Sequence, residues 1–188
     1  MKVAQNSQAE AIARRLFELF KGRIDRVGVG TSTTMTSEEI DGELTVEEIE
    51  GFHLAQEGCL AIYPLFDDGS VWFTCLDFDN KADNPDESIE QKVRRVVAFI
   101  AELGLAPLLE RSQSGRGFHI WLFFSEPVSA ATVRTFWRHV CRKAGVGVPE
   151  IFPKQATLKS GQVGNCVRLP LFNESEFVAG DITESRGR

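Results

Sequence analysis

The chain has 188 residues, with 21 Lys and Arg against 27 Asp and Glu, a formal net charge of -6, and 43% hydrophobic residues. A chain of this length buries roughly 70% of its surface in one compact domain, and its abundant Leu, Ile, Val and Phe exclude a disordered class. No apolar run reaches the roughly 20 residues of a membrane span, and the polar start Met1-Lys2-Val3-Ala4-Gln5-Asn6 is unlike a secretion signal, so a single cytoplasmic domain without membrane contact is expected.

A net of -6 argues against a polyanionic partner, but the charge is unevenly distributed. Residues 1–90 hold 7 basic and 19 acidic side chains, and residues 91–188 hold 14 and 8. The second half is therefore the one with basic side chains to offer a phosphate. Cys59, Cys75, Cys141 and Cys166 form no C-x-x-C pair, so neither zinc nor a disulfide framework is expected. Cys59 and Cys75 sit in apolar runs, where a buried, inert thiol is the simple reading.

In chain order, Ser7-Gln-Ala-Glu10 reads as a capping box that starts a helix with Ile12, Leu16, Leu19 and Phe20 inward and Gly22 as its stop. Residues 27–42, rich in Gly, Thr and Ser, read as a loop. Thr45-Val-Glu-Glu48 repeats the capping pattern for a short second helix. Cys59–Phe66 and Val71–Phe78 are strand-like, and Asp67-Asp68-Gly69-Ser70 between them signals a hairpin. A helix over Asp86–Leu103 follows, with Val93, Val96 and Ile100 inward. Then come a strand at Leu108–Arg111, a loop, and a strand at Phe118–Phe124. A helix capped by Ser129 carries Val133, Phe136, Trp137 and Val140, and strands at Val148–Phe152 and Cys166–Phe172 close the chain.

From Val71 to Phe152 the order is β-α-β-β-α-β, the ferredoxin-like or split βαβ arrangement. The expected fold class is α+β. In that topology the first strand lies between the third and fourth, so its carboxyl end meets their amino ends. Asp77, Asp79, His119 and Glu150 stand at those places.

Asp77 and Asp79, two apart on a strand, share one face. Such a pair repels itself unless a cation lies between, and oxygen donors suit Mg²⁺ or Mn²⁺. Glu150 would complete a two-metal set for in-line phosphoryl displacement. A bare Asp-x-Asp is equally consistent with a solvated strand end. In the loop Arg111-Ser-Gln-Ser-Gly-Arg-Gly-Phe-His119, glycines allow close approach, successive N–H groups can form an anion nest, and Arg111 and Arg116 bring charge to phosphates. Lys154 and Arg168 could neutralise a triphosphate or a template backbone. A plain hairpin loop and ordinary surface charge remain the alternatives for these last two features. Trp121 and Phe123 share the His119 face, either stacking bases or packing beneath the amino-terminal unit.

Leu76-Asp-Phe-Asp-Asn80, Ser114-Gly-Arg-Gly-Phe-His119, and Glu150-Ile-Phe-Pro-Lys-Gln155 with Val167-Arg-Leu-Pro170 resemble the three motifs of the archaeo-eukaryotic primase superfamily, the primase-polymerases. The likeness is to bacterial domains of the TOTE conflict-system and CRISPR-associated type. It extends through Leu16-Phe-Glu-Leu-Phe-Lys-Gly-Arg23, His53-Leu-Ala, Tyr63-Pro-Leu, Glu110-Arg-Ser and Ile120-Trp-Leu-Phe-Phe124. The resemblance implies a catalytic domain over the whole chain: a small amino-terminal α/β unit (1–66), an RRM-like catalytic subdomain (67–175) and a tail (176–188). It implies Asp77, Asp79 and Glu150 as catalytic ligands of two Mg²⁺ or Mn²⁺ ions. Ser114, Gly115, Arg116, His119, Lys154 and Arg168 would bind the nucleotide, and Arg111 the template.

The implied activity is template-dependent transfer of a nucleotide from an NTP or dNTP to a 3′-hydroxyl, with release of pyrophosphate. Its partners would be single-stranded or primed DNA and a fused or associated helicase, nuclease or CRISPR protein. Gly117 departs from the pattern, since many members carry Ser there, and the Gly/Thr/Ser-rich text after Arg23 departs too. Two other functions stand beside this one: a catalytically silent single-strand-binding module of the same fold, and a phosphatase using Asp77 as nucleophile. The last has no call for Glu150 or the glycine loop.

Overall fold

The computed structural model describes residues 2–31, 33–40, 43–79 and 88–179. Helix α1 (Lys2–Leu19) is followed by β1 (Arg26–Gly30), β2 (Met35–Glu39) and α2 (Val46–Glu48), which runs on as a π-helical turn, Ile49–Leu54. Next come β3 (Cys59–Ile62), β4 (Ser70–Phe78), α3 (Ile89–Glu102), β5 (Leu108–Arg111) and β6 (Phe118–Ser129). The chain continues through α4 (Ala130–Lys143), β7 (Glu150–Phe152), β8 (Val167–Arg168) and β9 (Glu176–Ala179). No helix among the described residues is long and apolar enough to cross a membrane.

Two antiparallel sheets organise the molecule, with orders β2-β1-β3-β8 and β7-β4-β6-β5-β9. The run β7-β4-β6-β5 is the expected βαββαβ order, with β4 paired to both β6 and β7. Helices α3 and α4 cover one face of this sheet. Leu76, Phe78, Ile120 and Leu122 pack there against Val93, Val96, Ile100, Val133, Trp137 and Val140. Trp137 Nε1 donates to Thr74 Oγ1 (2.9 Å), whose hydroxyl donates to the Phe152 carbonyl (2.7 Å), tying α4, β4 and β7 together.

The opposite face packs on α1 and the four-stranded sheet. Phe73, Cys75 and Trp121 meet Leu16, Phe20, Ile49, Leu60, Ile62 and Val167. Phe20 sits edge-on to Phe73, Trp121 and Phe123, with centroids 5.0–5.2 Å apart, a favourable ring geometry. Trp121 is wholly buried, so it is core and has no surface for a base to stack on.

Four local expectations give way to tertiary structure. Helix α1 already begins at Lys2, so Ser7 lies within it rather than capping it. The described part of the expected loop 27–42 is largely a hairpin, β1 paired with β2 from Arg26↔Glu39 to Gly30↔Met35. Gly28 is needed there, because a Cβ would stand 2.8 Å from Ala61 Cβ and 3.0 Å from Met35 Sδ; glycine marks a crowded strand, not a loop. The segments around Asp67–Ser70 do form a tight turn, with Gly69 N–H donating to the Phe66 carbonyl, but β3 and β4 do not pair. Both sides of β3 are taken, by β1 and β8. Finally, of Cys166–Phe172 only Val167–Arg168 is strand, and it joins the four-stranded sheet.

The second capping box is present as expected: Thr45 Oγ1 accepts from Glu48 N–H (3.2 Å), and the Glu48 carboxylate accepts from Thr45 N–H (2.8 Å). Helix α3 is capped by Ser88; the stretch 80–87, including Asn80 and the expected helix start at Asp86, lies outside the described residues. Ser129 occupies the α4 cap position, but its side chain makes no capping bond. Strand β9 has no counterpart among the expected elements.

Candidate active site

Strand register builds the site. Asp77 is opposite His119 on β6 and Glu150 on β7, and His119 is opposite Glu110 on β5. Glu110, His119, Asp77 and Glu150 thus form one rung across four strands, on the face turned away from α3 and α4. Asp79, just past β4, shares that side. The rung borders a cleft of about 330 Å³, lined also by Ser112, Ser114, Lys154 and Arg168. Arg168 arrives from β8, so the cleft lies between the two sheets.

His119 is nearly buried and held between two carboxylates. Its Nδ1 is 2.9 Å from Glu110 Oε2, and its Nε2 is 3.5 Å from Asp77 Oδ1, the second a loose ion pair rather than a good hydrogen bond. Burial, the largest single influence, favours the neutral ring. The charges of Glu110 and Asp77, with the Glu110 hydrogen bond, together outweigh it and raise the His119 pKa to about 10. The imidazolium therefore presents positive charge at the cleft floor.

Glu110 is the residue of this cleft that sequence reasoning left without a role. It is only 2% exposed and accepts from Trp121 Nε1 (2.6 Å) and Ser175 Oγ (2.5 Å) as well as facing His119. One buried carboxylate thus orients the histidine, the core tryptophan and the segment leading to β9. The available signal was its parity: Leu108 and Glu110 share a face with His119 and Trp121, and a carboxylate at an inward strand position demands partners.

The glycine loop is shaped differently from a nest. Gly115 N–H donates to the Ser112 carbonyl (2.8 Å), Arg116 N–H to Ser114 Oγ (3.4 Å) and Gly117 N–H to Ser112 Oγ (3.1 Å). These N–H groups close the loop on itself and are not aimed at an anion, which corrects the nest expectation. A Cβ on Gly117 would stand 2.7 Å from the Phe78 carbonyl and 2.9 Å from Ser112 Oγ. Position 117 therefore has no room for a side chain, and the nearby hydroxyl belongs to Ser112.

Of the ten expected site residues, Asp77, Asp79, Ser114, His119, Glu150, Lys154 and Arg168 all line the cleft. Gly115, at φ +69°, shapes the turn, and the Arg116 side chain is exposed at its tip. Arg111 lies outside the cleft lining; it pairs with Glu176 (3.3 Å) and lies over the Phe118 ring, toward the helix-covered side. Cys59 is buried as expected, its thiol pushed up to about 11 chiefly by desolvation.

Lys154 Nζ bridges to Glu150 Oε2 at 2.8 Å, and among the described residues no three His, Cys, Asp or Glu are gathered closely enough to hold a metal ion. The donors nevertheless fit a hard cation. Asp77 Oδ1 is buried and accepts no hydrogen bond, a costly state for a carboxylate oxygen that a cation would relieve. The neighbouring carboxylates, Asp79 and Glu150, offer oxygen ligands. Arg168 Nε is likewise buried without a partner, ready for an anionic oxygen.

These features coincide with a family. Residues 16–178 match the domain described as "TOTE conflict system, Archaeo-Eukaryotic Primase domain". The chain belongs to that archaeo-eukaryotic primase family. The catalytic domain of the primase RepB', solved in complex with initiator DNA, superposes with a TM-score of 0.50 at 14% identity, over 93% of this chain and 84% of that one. A primase catalytic fold is therefore shared where sequence has diverged. No curated protein matches the chain in sequence.

Proposed function

We propose that the domain is a template-directed primase-polymerase, transferring a nucleotide from an NTP or dNTP to a 3′-hydroxyl in the cleft between the two sheets. One observation carries this: in a primase-family chain, register alone aligns Asp77, His119 and Glu150 on one rung, with Asp79, Lys154 and Arg168 in the same cleft. Two divalent cations held by Asp77, Asp79 and Glu150 would supply the activation of the attacking hydroxyl and the neutralisation of the departing pyrophosphate.

The protein's own side chains divide the rest of the work. His119, fixed by Glu110, and Arg168, with its unpartnered Nε, bind the triphosphate and hold it in line. Ser114 and Arg116 stand at the glycine turn where outer phosphates would lie, and Gly115 keeps that turn tight. Lys154 exchanges its carboxylate partner for a phosphate when Glu150 is engaged elsewhere. The residues from 1 to 188 act as one catalytic domain, working in the cytoplasm beside a helicase, nuclease or CRISPR protein, with DNA as template and Arg111 at its periphery.

The test is primer synthesis and extension on a single-stranded template with Mg²⁺ or Mn²⁺. Asp77→Ala/Asp79→Ala is expected to lower incorporation at least about a hundredfold, as loss of aligned transition-state charge does. Equal product from that variant sinks the mechanism.

The Lys154–Glu150 contact favours a second reading, a catalytically silent strand-binding module. Calorimetry with a non-hydrolysable NTP and Mn²⁺ separates the two: nucleotide binding lost in the double variant supports polymerase chemistry, and strand binding without nucleotide binding supports the silent module.

A further inference from the structure

Helix α4 contains Arg134, Arg138, Arg142 and Lys143 and no acidic residue, unlike the chain as a whole, at -6. Its Val133, Trp137, Val140 and Cys141 are buried. The arginines, four positions apart, therefore form one stripe away from the core, with neighbours about 6 Å apart along the axis. Among the described residues none of the four makes an ion pair. Arg134 Nη1 donates to the Pro153 and Ile151 carbonyls (2.6 and 3.4 Å), and Arg142 Nη2 to His139 Nδ1 (3.2 Å). Burial, and then the like charge of Arg138, hold the Arg134 guanidinium below its usual value; an anion laid across the pair would offset that like charge.

Position gives the stripe its meaning. Strand β7 is one of the two edges of the five-stranded sheet. Between its outer side and α4 runs a groove of about 210 Å³, lined by Arg134, Arg138, half-exposed Val148, Pro149, Glu150 and Lys154. Glu150 and Lys154 also line the cleft. Groove and cleft therefore meet around the sheet edge, cations on the helix side and the carboxylate rung on the other.

We propose that the α4 stripe and this groove form a track for the phosphate backbone of a single nucleic-acid strand, carrying it around β7 into the cleft. The strand's destination rests on the polymerase reading of the cleft; the track itself rests on α4. Guanidinium forks match phosphate oxygens in pairs, and Val148 and Pro149 offer apolar contact to sugars or bases between them. An acidic peptide would use the charge but has no reason to follow a groove that opens on a nucleotidyl-transfer cleft.

The experiment is binding of a labelled single strand across a salt series, beside nucleotide binding with Mn²⁺ on the same samples. Arg138→Glu/Arg142→Glu should bind the strand about tenfold or more weakly. Its slope of log affinity against log salt should be shallower by about 1.4, roughly 0.7 for each phosphate that is no longer neutralised. Arg14→Glu/Arg94→Glu, the same charge change on α1 and α3, should bind nearly as the parent does. Nucleotide binding should be retained, and Arg138→Gln/Arg142→Gln, which introduces no new charge, should weaken strand binding in the same direction if the reversed variant folds poorly. Unchanged affinity and slope in both α4 variants overturns the track. Equal binding of polyglutamate, lost by the same substitutions, overturns its assignment to nucleic acid. A parent that binds nucleotide but no strand also overturns it while leaving the cleft reading intact. Strand binding through α4 without nucleotide binding upholds the track and removes the cleft reading.

Discussion

Two histidines hidden from solvent, His53 and His119, show how one residue type is held neutral in one region and charged in another. His53 lies in the π-helical turn with no carboxylate bonded to it. Its Nε2 donates to the Pro170 carbonyl (2.7 Å), and its Nδ1 accepts from Leu60 N–H (3.1 Å). Both neutral-ring sites are filled by backbone, and desolvation holds its pKa below 6.5. It pins the segment after β8 to β3, and so places Arg168. His119 is nearly as hidden but stands between Glu110 and Asp77, and its pKa is raised to about 10. Burial disfavours charge at both sites; the charge of Glu110 reaches His53 too but does not offset burial there, whereas Glu110 and Asp77 stand directly against His119. Local sequence distinguishes the two poorly; cross-strand neighbours decide.

The contrast can be broken hardest at Glu110. Replacing Glu110 with Ala leaves His119, Trp121 Nε1 and Ser175 Oγ facing a hole, and removing one partner of a buried charged pair costs about 3–5 kcal/mol. Urea unfolding should show a loss of that order. Glu110→Gln, which keeps hydrogen-bonding capacity, should unfold closer to the parent yet lose affinity for nucleotide about 10–100-fold, as loss of an orienting partner does in comparable sites. Parent-like nucleotide affinity in Glu110→Gln would remove the orienting role.

A smaller effect is expected at Gly117. Gly117→Ala forces a methyl against the Phe78 carbonyl and Ser112 Oγ, an overpacking cost of about 1–3 kcal/mol. Thermal unfolding measures it, and a neutral result would show that the loop yields easily.

The smallest effect is the acid response of His53. Its folded pKa lies below the unfolded 6.5, so as pH falls the unfolded chain takes up the proton first. The stability it contributes is complete above about 6.5 and is lost as pH drops through that value toward the folded one. His53→Gln should be less stable at neutral pH and should flatten this part of the stability profile. An unchanged slope would mean that other groups dominate the acid response.

Much of the fold was legible because its signals are local. Apolar periodicity marked α3, α4, β4 and β6, and the Thr45 box marked α2. The βαββαβ order followed from element succession, and from it the meeting of Asp77, His119 and Glu150, the outer two more than 70 positions apart. What failed was information held in packing. Glycines at 28 and 30 looked like a loop until Ala61, Met35 and Thr34 crowded them, and a sound turn at Asp67–Ser70 suggested a pairing that β8 had already claimed. Glu110 was overlooked because a single carboxylate in Leu-Leu-Glu-Arg has no local mark of its three partners.

The sequence by itself determined the alternation that turns Asp77, His119 and Glu150 to one side and leaves α4 basic, since side-chain parity and helical spacing are properties of neighbouring residues. Tertiary structure alone decided that β8 brings Arg168 over the rung, that Glu110 lies beneath His119, and that the α4 stripe reaches the cleft around β7. Those outcomes depend on which strand edges are free and which cavities must be filled, and no stretch of chain carries that information alone.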